Sequence, residues 1–304
     1  MSHKRAKLGG MAAVLLVGGF IFLLHQLQIQ GSGVLTQIGG EGVALVLATF
    51  ICIYSFSLYL WRSFSREFGV SRSYGDALID LGMLSVGKYI PGKIWGLVAR
   101  GSTEGGALVF SKYRALISTI EQVFLLWVGL VFVCAFYMLT QYTSLLALML
   151  NLGLLFILVN LSLLLIWRVV GREQKKDQQF CAKSDNDTAL RVLALSVGYV
   201  FLWILIVVSF AIVVGYSGDF KITEILSLSA VFLASMIAGW LAFFSPAGLG
   251  VREAVFVSLL PDSFTWSDGL SLIVLHRTLQ IIIDIKFGTV AAGLLWLKNR
   301  NGRK

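Results

Sequence analysis

The sequence predicts an all-α polytopic integral membrane protein, and three features of the chain support that prediction. Apolar residues make up 57% of the 304 residues and charged residues only 13%, whereas soluble domains carry about 25% charged residues. Several runs without Asp, Glu, Lys or Arg are long enough to cross the ~30 Å hydrocarbon core of a bilayer as helices. Two of the three prolines interrupt apolar segments in the same way. This composition excludes an ordinary soluble domain, a disordered chain and a disulfide-stapled secreted module.

The charge-free runs predict six full membrane spans within a single transmembrane domain, 1–304. The expected spans lie at about 8–27, 42–61, 115–139, 143–167, 192–218 and 269–297. The first span follows a basic N-terminus and lacks a small-residue cleavage site, so we interpret it as an uncleaved signal anchor. Further apolar helices are expected at 74–90 and 225–251.

The distribution of Lys and Arg predicts which side of the membrane each loop faces. Cytoplasmic loops of membrane proteins carry an excess of these two residues. Five basic segments are therefore expected inside: the N-terminus, the loop near 62–72, residues 112–114, the polar loop 168–190 and the C-terminal tail. Three nearly uncharged links are expected outside: 25–41, 140–142 and 217–221. Both termini are then cytoplasmic, in a multi-pass protein of the bacterial inner membrane.

Two Pro/Gly-interrupted segments predict an internal inverted repeat. Residues 85–100 read SVGKYIPGKIWGLVAR, and residues 241–256 read LAFFSPAGLGVREAVF. Pro91 and Pro246 are 155 residues apart, and the same shift superposes the flanking predicted helices. The predicted repeats cover about 42–139 and 191–297, and the loop charges give them opposite orientations. Pro removes a backbone donor and interrupts a helix, while Gly permits the turn that follows.

Each repeat is expected to contain a re-entrant helical hairpin. The first, at about 74–103, turns at Pro91-Gly92, and the second, at about 222–260, turns near Pro246. Matching interruptions in two inverted halves point to a transporter binding site near the middle of the membrane. Two alternatives stay open. In the first, each hairpin arm is a full crossing, which gives ten crossings, an even number that also leaves both termini on one side. In the second, no repeat exists and the prolines only kink ordinary spans.

Charged residues in and beside the interrupted segments are the candidate binding residues, because ionisable groups within spans are costly and point to function. Arg277 and Asp284 are two helical turns apart and share a face. Helix N-termini and the forked guanidinium group of Arg both suit phosphate. The candidate substrate-binding residues are Lys88, Pro91, Gly92, Lys93, Arg100, Glu121, Pro246, Gly248, Gly250, Arg252, Glu253, Arg277 and Asp284. The alternative is a structural set of Arg–carboxylate pairs, above all at Glu121 and Glu253.

No motif predicts a catalytic, metal or nucleotide site. HExxH, P-loop and GxSxG patterns are absent from the sequence, and Gly248-x-Gly250 lacks a βαβ context. Asp185-x-Asp187 resembles the acidic pair of many glycosyltransferases, but we interpret it as part of a solvated loop. The three cysteines show no metal-ligand spacing. We therefore expect no metal, no cofactor and no nucleic-acid partner.

The two interrupted segments also resemble a known family. G-K-Y-I-P-G-K-I-W-G-L-V-A-R (87–100), S-P-A-G-L-G-V-R-E (245–253) and the later His276, Arg277 and Asp284 resemble the flippase-like family named after the membrane region of lysylphosphatidylglycerol synthase. The resemblance covers nearly the whole chain, and its second motif is the more specific.

The resemblance implies lipid handling. Two-domain bacterial relatives are understood to flip aminoacylated phosphatidylglycerol, which a separate soluble domain makes from charged tRNA. This chain ends at Lys304 without such a domain, so we expect no synthase activity. Some archaeal relatives are tied to polyprenyl-linked glycan assembly, which leaves a polyprenyl-phosphate lipid open.

The expected function is therefore movement of a lipid between leaflets, without enzymatic activity. The lipid is anionic or phosphate-bearing: a phospholipid, an aminoacylated phospholipid or a polyprenyl-phosphate lipid. The expected partners are this lipid and the bilayer. The alternatives are a membrane-embedded glycosyl or aminoacyl transferase, and a non-catalytic partner of envelope-lipid or glycan assembly enzymes. An enzyme needs a metal–donor carboxylate pair facing water, whereas a transporter needs opposed broken helices, and the sequence contains the second pattern.

Overall fold

The structure, a computed structural model, is a bundle of α-helices. It describes residues 32–90, 94–101, 103–104, 107–108, 111–141, 157, 161, 185–242 and 245–301. The predicted signal anchor lies outside the described residues, as do the loop up to residue 184 and the predicted 143–167 span, apart from two helical positions. Pro91, Gly92 and Lys93 lie outside them as well.

The described elements follow one another along the chain as helices with one small hairpin. The long and medium helices are α1 (Ser32–Glu67), α2 (Tyr74–Gly87), α4 (Lys112–Gln141), α5 (Asp185–Ser217), α6 (Ile222–Leu241) and α8 (Trp266–Asn301). The short elements are α3 (Ile94–Gly101), the antiparallel pair β1 (Thr103–Glu104) and β2 (Ala107–Leu108), a 3-10 turn (Pro246–Gly248) and α7 (Val251–Ser258).

Five of the described helices are long and apolar enough to cross a membrane. The candidate spans are Ile38–Glu67, Tyr113–Cys134, Leu190–Ser217, Ile222–Leu241 and Trp266–Arg300. The prediction of an all-helical protein with several membrane-spanning helices is confirmed to that extent. Four of the spans overlap predicted full crossings, and the fifth, α6, is the first arm of the second predicted hairpin.

Two groups of four helices share the pattern long, medium, short and long over the residues that the structure describes. Helices α1 to α4 have 36, 14, 8 and 30 residues, and α5 to α8 have 33, 20, 8 and 36. The groups interlock, because α1 packs against α5, α2 against α8, and α6 against α4. Each eight-residue helix packs on the long helix that follows it, α3 on α4 and α7 on α8.

Several helix ends meet at one end of the bundle, which we call the basic end. The contacts there are Arg191 with Glu67 (3.4 Å), the Tyr113 hydroxyl with the Phe68 carbonyl (2.8 Å), and Lys298 with Asp76. Burial acts to raise the pKa of Asp76, but hydrogen bonds from Lys298 and Ser73 outweigh it and leave this pKa below its ordinary value. The basic end thus joins the end of α1 to the starts of α2, α4 and α5 and to the end of α8.

The two helices before the interruptions are each followed by a short helix that runs back along them. Gly96 of α3 is so close to α2 that an added Cβ would lie 3.1 Å from the Leu84 carbonyl oxygen. Arg252 of α7 contacts Met236 of α6, 16 residues earlier. Residues 12 or 16 apart in one continuous helix would be separated by ~18 or ~24 Å, so the chain doubles back in both places.

Candidate functional site

The two interrupted segments meet inside the bundle. The Ala247 N–H, in the 3-10 turn, donates a hydrogen bond of 2.7 Å to the carbonyl oxygen of Lys88, just after α2. Ala247 has φ 50 and ψ 16, in the left-handed region that residues with a Cβ seldom adopt. The conformation is held from both sides, because the Ala247 carbonyl accepts a 2.9 Å bond from Arg277. Such strain persists only where surrounding contacts impose it, often at functional sites.

Asp284 of α8 is the buried acceptor beneath this crossing. Its carboxylate is fully enclosed and accepts hydrogen bonds from the hydroxyls of Tyr54 and Tyr89 (2.6 Å for Tyr89). The Lys88 Nζ lies 2.7 Å from the same carboxylate. Asp284 therefore joins α1, the end of α2 and α8, and its charge is matched by one lysine and two phenolic hydroxyls.

Arg277, two turns earlier on α8, holds the 3-10 turn and the start of α7. It donates to the carbonyls of Ala247 and Gly248 (3.3 Å for Gly248) and forms a salt bridge with Glu253. The other Glu253 oxygen accepts the Gly250 N–H at 2.7 Å, which caps the N-terminus of α7. Both members of this ion pair are thus occupied by protein groups.

Arg252 is buried at the same place but is bonded differently. Only 6% of it is exposed, and its Nη1 faces the Met236 sulfur at 3.1 Å. Its Nε has no hydrogen-bond partner among the residues that the structure describes. Within the described part of the chain it forms no salt bridge, because the neighbouring Glu253 is bonded to Arg277. A buried charge without a partner is costly, so Arg252 is the candidate anion-binding group.

Two glycines allow Arg252 to occupy this position. A Cβ on Gly239 would lie 2.2 Å from the Arg252 Cγ and 2.5 Å from its Nε. A Cβ on Gly248, which has φ 75, would lie 2.8 Å from the Gly239 carbonyl oxygen. The backbones of α6 and the 3-10 turn therefore approach each other closely. The aliphatic part of the Arg252 side chain occupies the space that a side chain at residue 239 would fill.

The five charged residues Lys88, Arg252, Glu253, Arg277 and Asp284 form what we call the central cluster. It contains three cations and two carboxylates, and the charges of both arginines act on Lys88. Each carboxylate is matched to one cation by a salt bridge. Counted over the residues that the structure describes, the cluster therefore carries one excess positive charge, which is located on Arg252.

Arg100 and Glu121 form a second buried cluster with a different character. Their side chains are 2.7 Å apart, and the Arg100 guanidinium lies 3.5 Å above the Trp61 ring. Glu121 also accepts hydrogen bonds from the Tyr199 hydroxyl (3.0 Å) and the Gln122 amide (2.7 Å). This pair is charge-balanced and joins α3, α4 and α5, as expected for a structural ion pair.

Asp80 extends this second cluster into α2. The Trp61 indole N–H donates to its carboxylate at 3.0 Å, and the Arg72 Nε lies 3.0 Å from the same oxygen. Asp80 is fully enclosed. The network therefore ties the loop before α2 to α1 through one carboxylate.

The structure brings together seven of the predicted site residues and separates others from them. Lys88, Gly248, Gly250, Arg252, Glu253, Arg277 and Asp284 meet at the crossing, and Pro246 begins the 3-10 turn. Arg100 and Glu121 bind each other instead. The remaining predicted residues, Pro91, Gly92 and Lys93, lie outside the described residues.

Aromatic partners of the charged residues were missed by reasoning from the sequence. Tyr54, Tyr89, Trp61 and Tyr199 all donate to buried carboxylates or stack on a buried arginine. Uncharged aromatic residues are common in apolar spans. Because their insertion into the membrane carries no large free-energy cost, the sequence does not single them out as functional. A buried carboxylate needs hydrogen-bond donors, and this need was the one indication in the sequence that such aromatic partners must exist.

His276 is enclosed rather than part of a reactive group. Its Nε2 lies 2.9 Å from the Ser209 hydroxyl, and the rings of Phe50, Phe210 and Phe232 surround it. No group of three or more His, Cys, Asp or Glu side chains with metal-binding geometry occurs among the residues that the structure describes. Comparisons of the chain with models of known families, with curated proteins and with solved structures found no match.

Proposed function

We propose that this protein is a flippase-like transporter that moves an anionic or phosphate-bearing lipid between the leaflets of the inner membrane. The observation that carries the proposal is Arg252, a buried cation without a salt bridge among the described residues, at the crossing of two interrupted segments. A lipid headgroup that crosses hydrocarbon alone faces a large desolvation cost. A guanidinium group within the bundle lowers that cost, because it donates two parallel hydrogen bonds to phosphate.

In this proposal α1–α4 and α5–α8 are inverted repeats. The shared pattern of helix lengths and the reciprocal packing of α2 on α8 and α6 on α4 support it. The first hairpin starts at the basic end, where Asp76 contacts Lys298. The second starts at the other end, because α5 runs from the basic end for 33 residues before α6 begins.

Helix lengths support re-entrant hairpins over ten full crossings. Helices α2, α3 and α7 have 14, 8 and 8 residues, which correspond to ~21, ~12 and ~12 Å. A full crossing needs ~30 Å. Of the four hairpin helices, as far as the structure describes them, only α6 with its 20 residues would reach across by itself. The hydrogen bond between Ala247 and Lys88 is where the two hairpins meet in this arrangement.

The proposed mechanism is exchange of solvation. Arg252 and its polar neighbours replace the water around the headgroup, while the acyl or prenyl chains stay in lipid. Arg252 is 94% enclosed in the present conformation, so the headgroup reaches it only when the two hairpins separate on one side. Alternate separation on the two sides would carry the headgroup across, as expected for inverted repeats around a central site.

Membership of the flippase-like family related to the membrane region of lysylphosphatidylglycerol synthase is part of the proposal. The motif that carries the resemblance, 245–253, forms the 3-10 turn, the cap at Gly250 and the pair Arg252-Glu253. The basic end faces the cytoplasm, which follows the usual excess of Lys and Arg on that side.

Lipid transport is tested with purified protein in liposomes that carry a fluorescent phospholipid or polyprenyl-phosphate lipid in the inner leaflet. Wild-type protein should speed the loss of protection of that lipid from an external quencher. A double variant, Arg252→Ala with Arg277→Ala, should match protein-free liposomes once its folding is verified by circular dichroism. Arg66→Ala changes an exposed arginine at the end of α1 and should behave as wild type.

The proposal fails if wild-type protein matches protein-free liposomes for every headgroup class. The classes are neutral, zwitterionic, aminoacylated and polyprenyl-phosphate lipids, each measured with and without a proton gradient. A membrane-embedded transferase or an assembly partner would then be the better explanation.

A further inference from the structure

We infer that the central cluster selects a headgroup with one negative charge and no cationic group, namely a phosphodiester monoanion. This inference rests on the proposed function, since it names the substrate class of the same site. It follows from the bonding of the five charges that meet between α2, α6, α7 and α8.

Each of the two carboxylates of the cluster is already paired with a cation of the protein. Asp284 accepts from Lys88 and from two tyrosine hydroxyls, and it is fully enclosed. Glu253 accepts from Arg277 through one oxygen and from the Gly250 N–H through the other. Neither carboxylate is left to neutralise a further cation.

The remaining cation, Arg252, is the one member of the cluster without a salt bridge among the described residues. In the described part of the chain its Nε has no hydrogen-bond partner, and its Nη1 faces the weak acceptor sulfur of Met236. Gly239 leaves space for the Arg252 side chain by its lack of a Cβ, and Gly248 allows the 3-10 turn to approach Gly239. The two non-bridging oxygens of one phosphodiester can accept parallel hydrogen bonds from the Nε and Nη groups of one guanidinium.

The excess charge of the cluster determines which headgroups are neutralised on binding. A phosphodiester carries one negative charge and leaves the site neutral. A phosphomonoester carries about −1.5 to −2 at pH 7, so it brings up to one buried negative charge without a partner. A zwitterionic headgroup adds an ammonium beside Lys88, Arg252 and Arg277, and like charges brought together oppose binding.

Binding of short-chain lipids to the detergent-solubilised full chain tests this inference by calorimetry at pH 8. The ligands are dihexanoyl phosphatidylglycerol, dihexanoyl phosphatidic acid and dihexanoyl phosphatidylethanolamine. We expect the phosphatidylglycerol to bind at least about tenfold more tightly than the other two, a difference that calorimetry resolves. Equal or tighter binding of either competitor would overturn the inference.

Variants that remove one carboxylate should change the charge preference. Glu253→Gln and Asp284→Asn each add one positive charge, and we expect each to improve phosphatidic acid binding relative to phosphatidylglycerol by about tenfold. Asp80→Asn is the matched control, since Asp80 is equally enclosed but binds Arg72 and Trp61. If Asp284→Asn does not fold, Glu253→Gln decides the test, and an unchanged affinity ratio in the folded variants overturns the inference.

Soluble glycerophosphoglycerol distinguishes a lipid ligand from a free phosphodiester. We expect much weaker binding of this compound, because it lacks the acyl chains. If it binds as tightly as the short-chain lipid, the monoanion preference stands but the site serves a soluble diester, and the lipid-transport proposal falls. If liposome transport occurs at equal rates for monoanionic, dianionic and zwitterionic lipids, transport stands and the charge inference falls.

Discussion

Arg252 and Arg277 carry the same charge within one cluster, but their contacts give them different roles. Arg277 is bonded to two backbone carbonyls and to Glu253, so it fixes the 3-10 turn. Arg252 has a sulfur neighbour and an unbonded Nε. Removing one partner of a buried ion pair destabilises a protein, whereas replacing an unpaired charge by an apolar side chain is neutral or stabilising. Stability measurements can therefore separate the two roles.

Arg277→Ala should lower the free energy of unfolding by about 3 kcal/mol, since it leaves the partly buried carboxylate of Glu253 without its cation. Arg252→Met, which keeps the side-chain volume, should leave the free energy of unfolding unchanged or raise it. The same Arg252→Met variant should lose lipid transport. The measurements are denaturant unfolding in detergent and the liposome assay. A large loss of stability in Arg252→Met would show that Arg252 has a structural partner.

Gly239→Ala should impair lipid binding through Arg252. The new Cβ would lie 2.2 Å from the Arg252 Cγ, so the arginine side chain must move. We expect phosphatidylglycerol affinity to fall about tenfold, as measured by calorimetry.

Gly293→Ala is the matched control for that substitution, because a Cβ at this position in α8 meets no atom within 4 Å. It should leave binding unchanged and, as an Ala in a helix, raise stability by up to about 1 kcal/mol. Normal affinity in Gly239→Ala would mean that the observed position of Arg252 is not needed for binding.

At the scale of elements, the packing of α2 against α8 is the contact that the proposed mechanism must change. Lys88 at the end of α2 binds Asp284 of α8, and Gly82 lies so close to α8 that an added Cβ would be 2.3 Å from the Ala291 Cβ. Small residues allow such close approach between membrane helices. If the first hairpin moves away from the second repeat during transport, a covalent link between α2 and α8 should stop transport.

A disulfide between Val86→Cys and Gly288→Cys provides that link. A Cβ at residue 288 would lie 3.7 Å from the Val86 Cβ, which matches the ~3.8 Å mean of disulfides. In a background without Cys52, Cys134 and Cys181, oxidation should stop transport and reduction should restore it. Each single cysteine variant is the control. Continued transport at full cross-linking would show that α2 and α8 move together.

At the scale of the whole molecule, the basic end gathers helix termini from distant parts of the chain. Its ion pairs join Arg191 to Glu67 and Lys298 to Asp76. These contacts agree with the loop charges that place the same segments on one side of the membrane. The opposite end contains the turn before α8, where Phe264 contacts Phe220.

Cysteine labelling from outside the cell tests the proposed orientation. Ser267 lies exposed in the first turn of α8, and Ser71 lies exposed at the basic end. In a cysteine-free background, a membrane-impermeant reagent should modify Ser267→Cys and leave Ser71→Cys unmodified until the membrane is opened. The reverse pattern would place the basic end outside the cell.

Local sequence was enough to predict the long helices that the structure describes. The predicted 42–61 and 74–90 segments correspond to Ile38–Glu67 and Tyr74–Gly87, and the interruption at Pro246 lies between α6 and α7. Partition into a bilayer depends on the composition of about 20 successive residues, and a proline disrupts the helix that contains it. Both properties can be read without knowledge of the fold.

The partners of the charged residues were determined only by the tertiary structure. Asp284 binds Lys88, Tyr54 and Tyr89 from two other elements, and Arg277 takes Glu253 away from the adjacent Arg252. A buried charged group needs a partner of opposite charge. The sequence alone is compatible with many different pairings of these residues. The packing of α2, α6 and α8 selects one pairing, and in the described part of the cluster that pairing leaves Arg252 without a salt bridge.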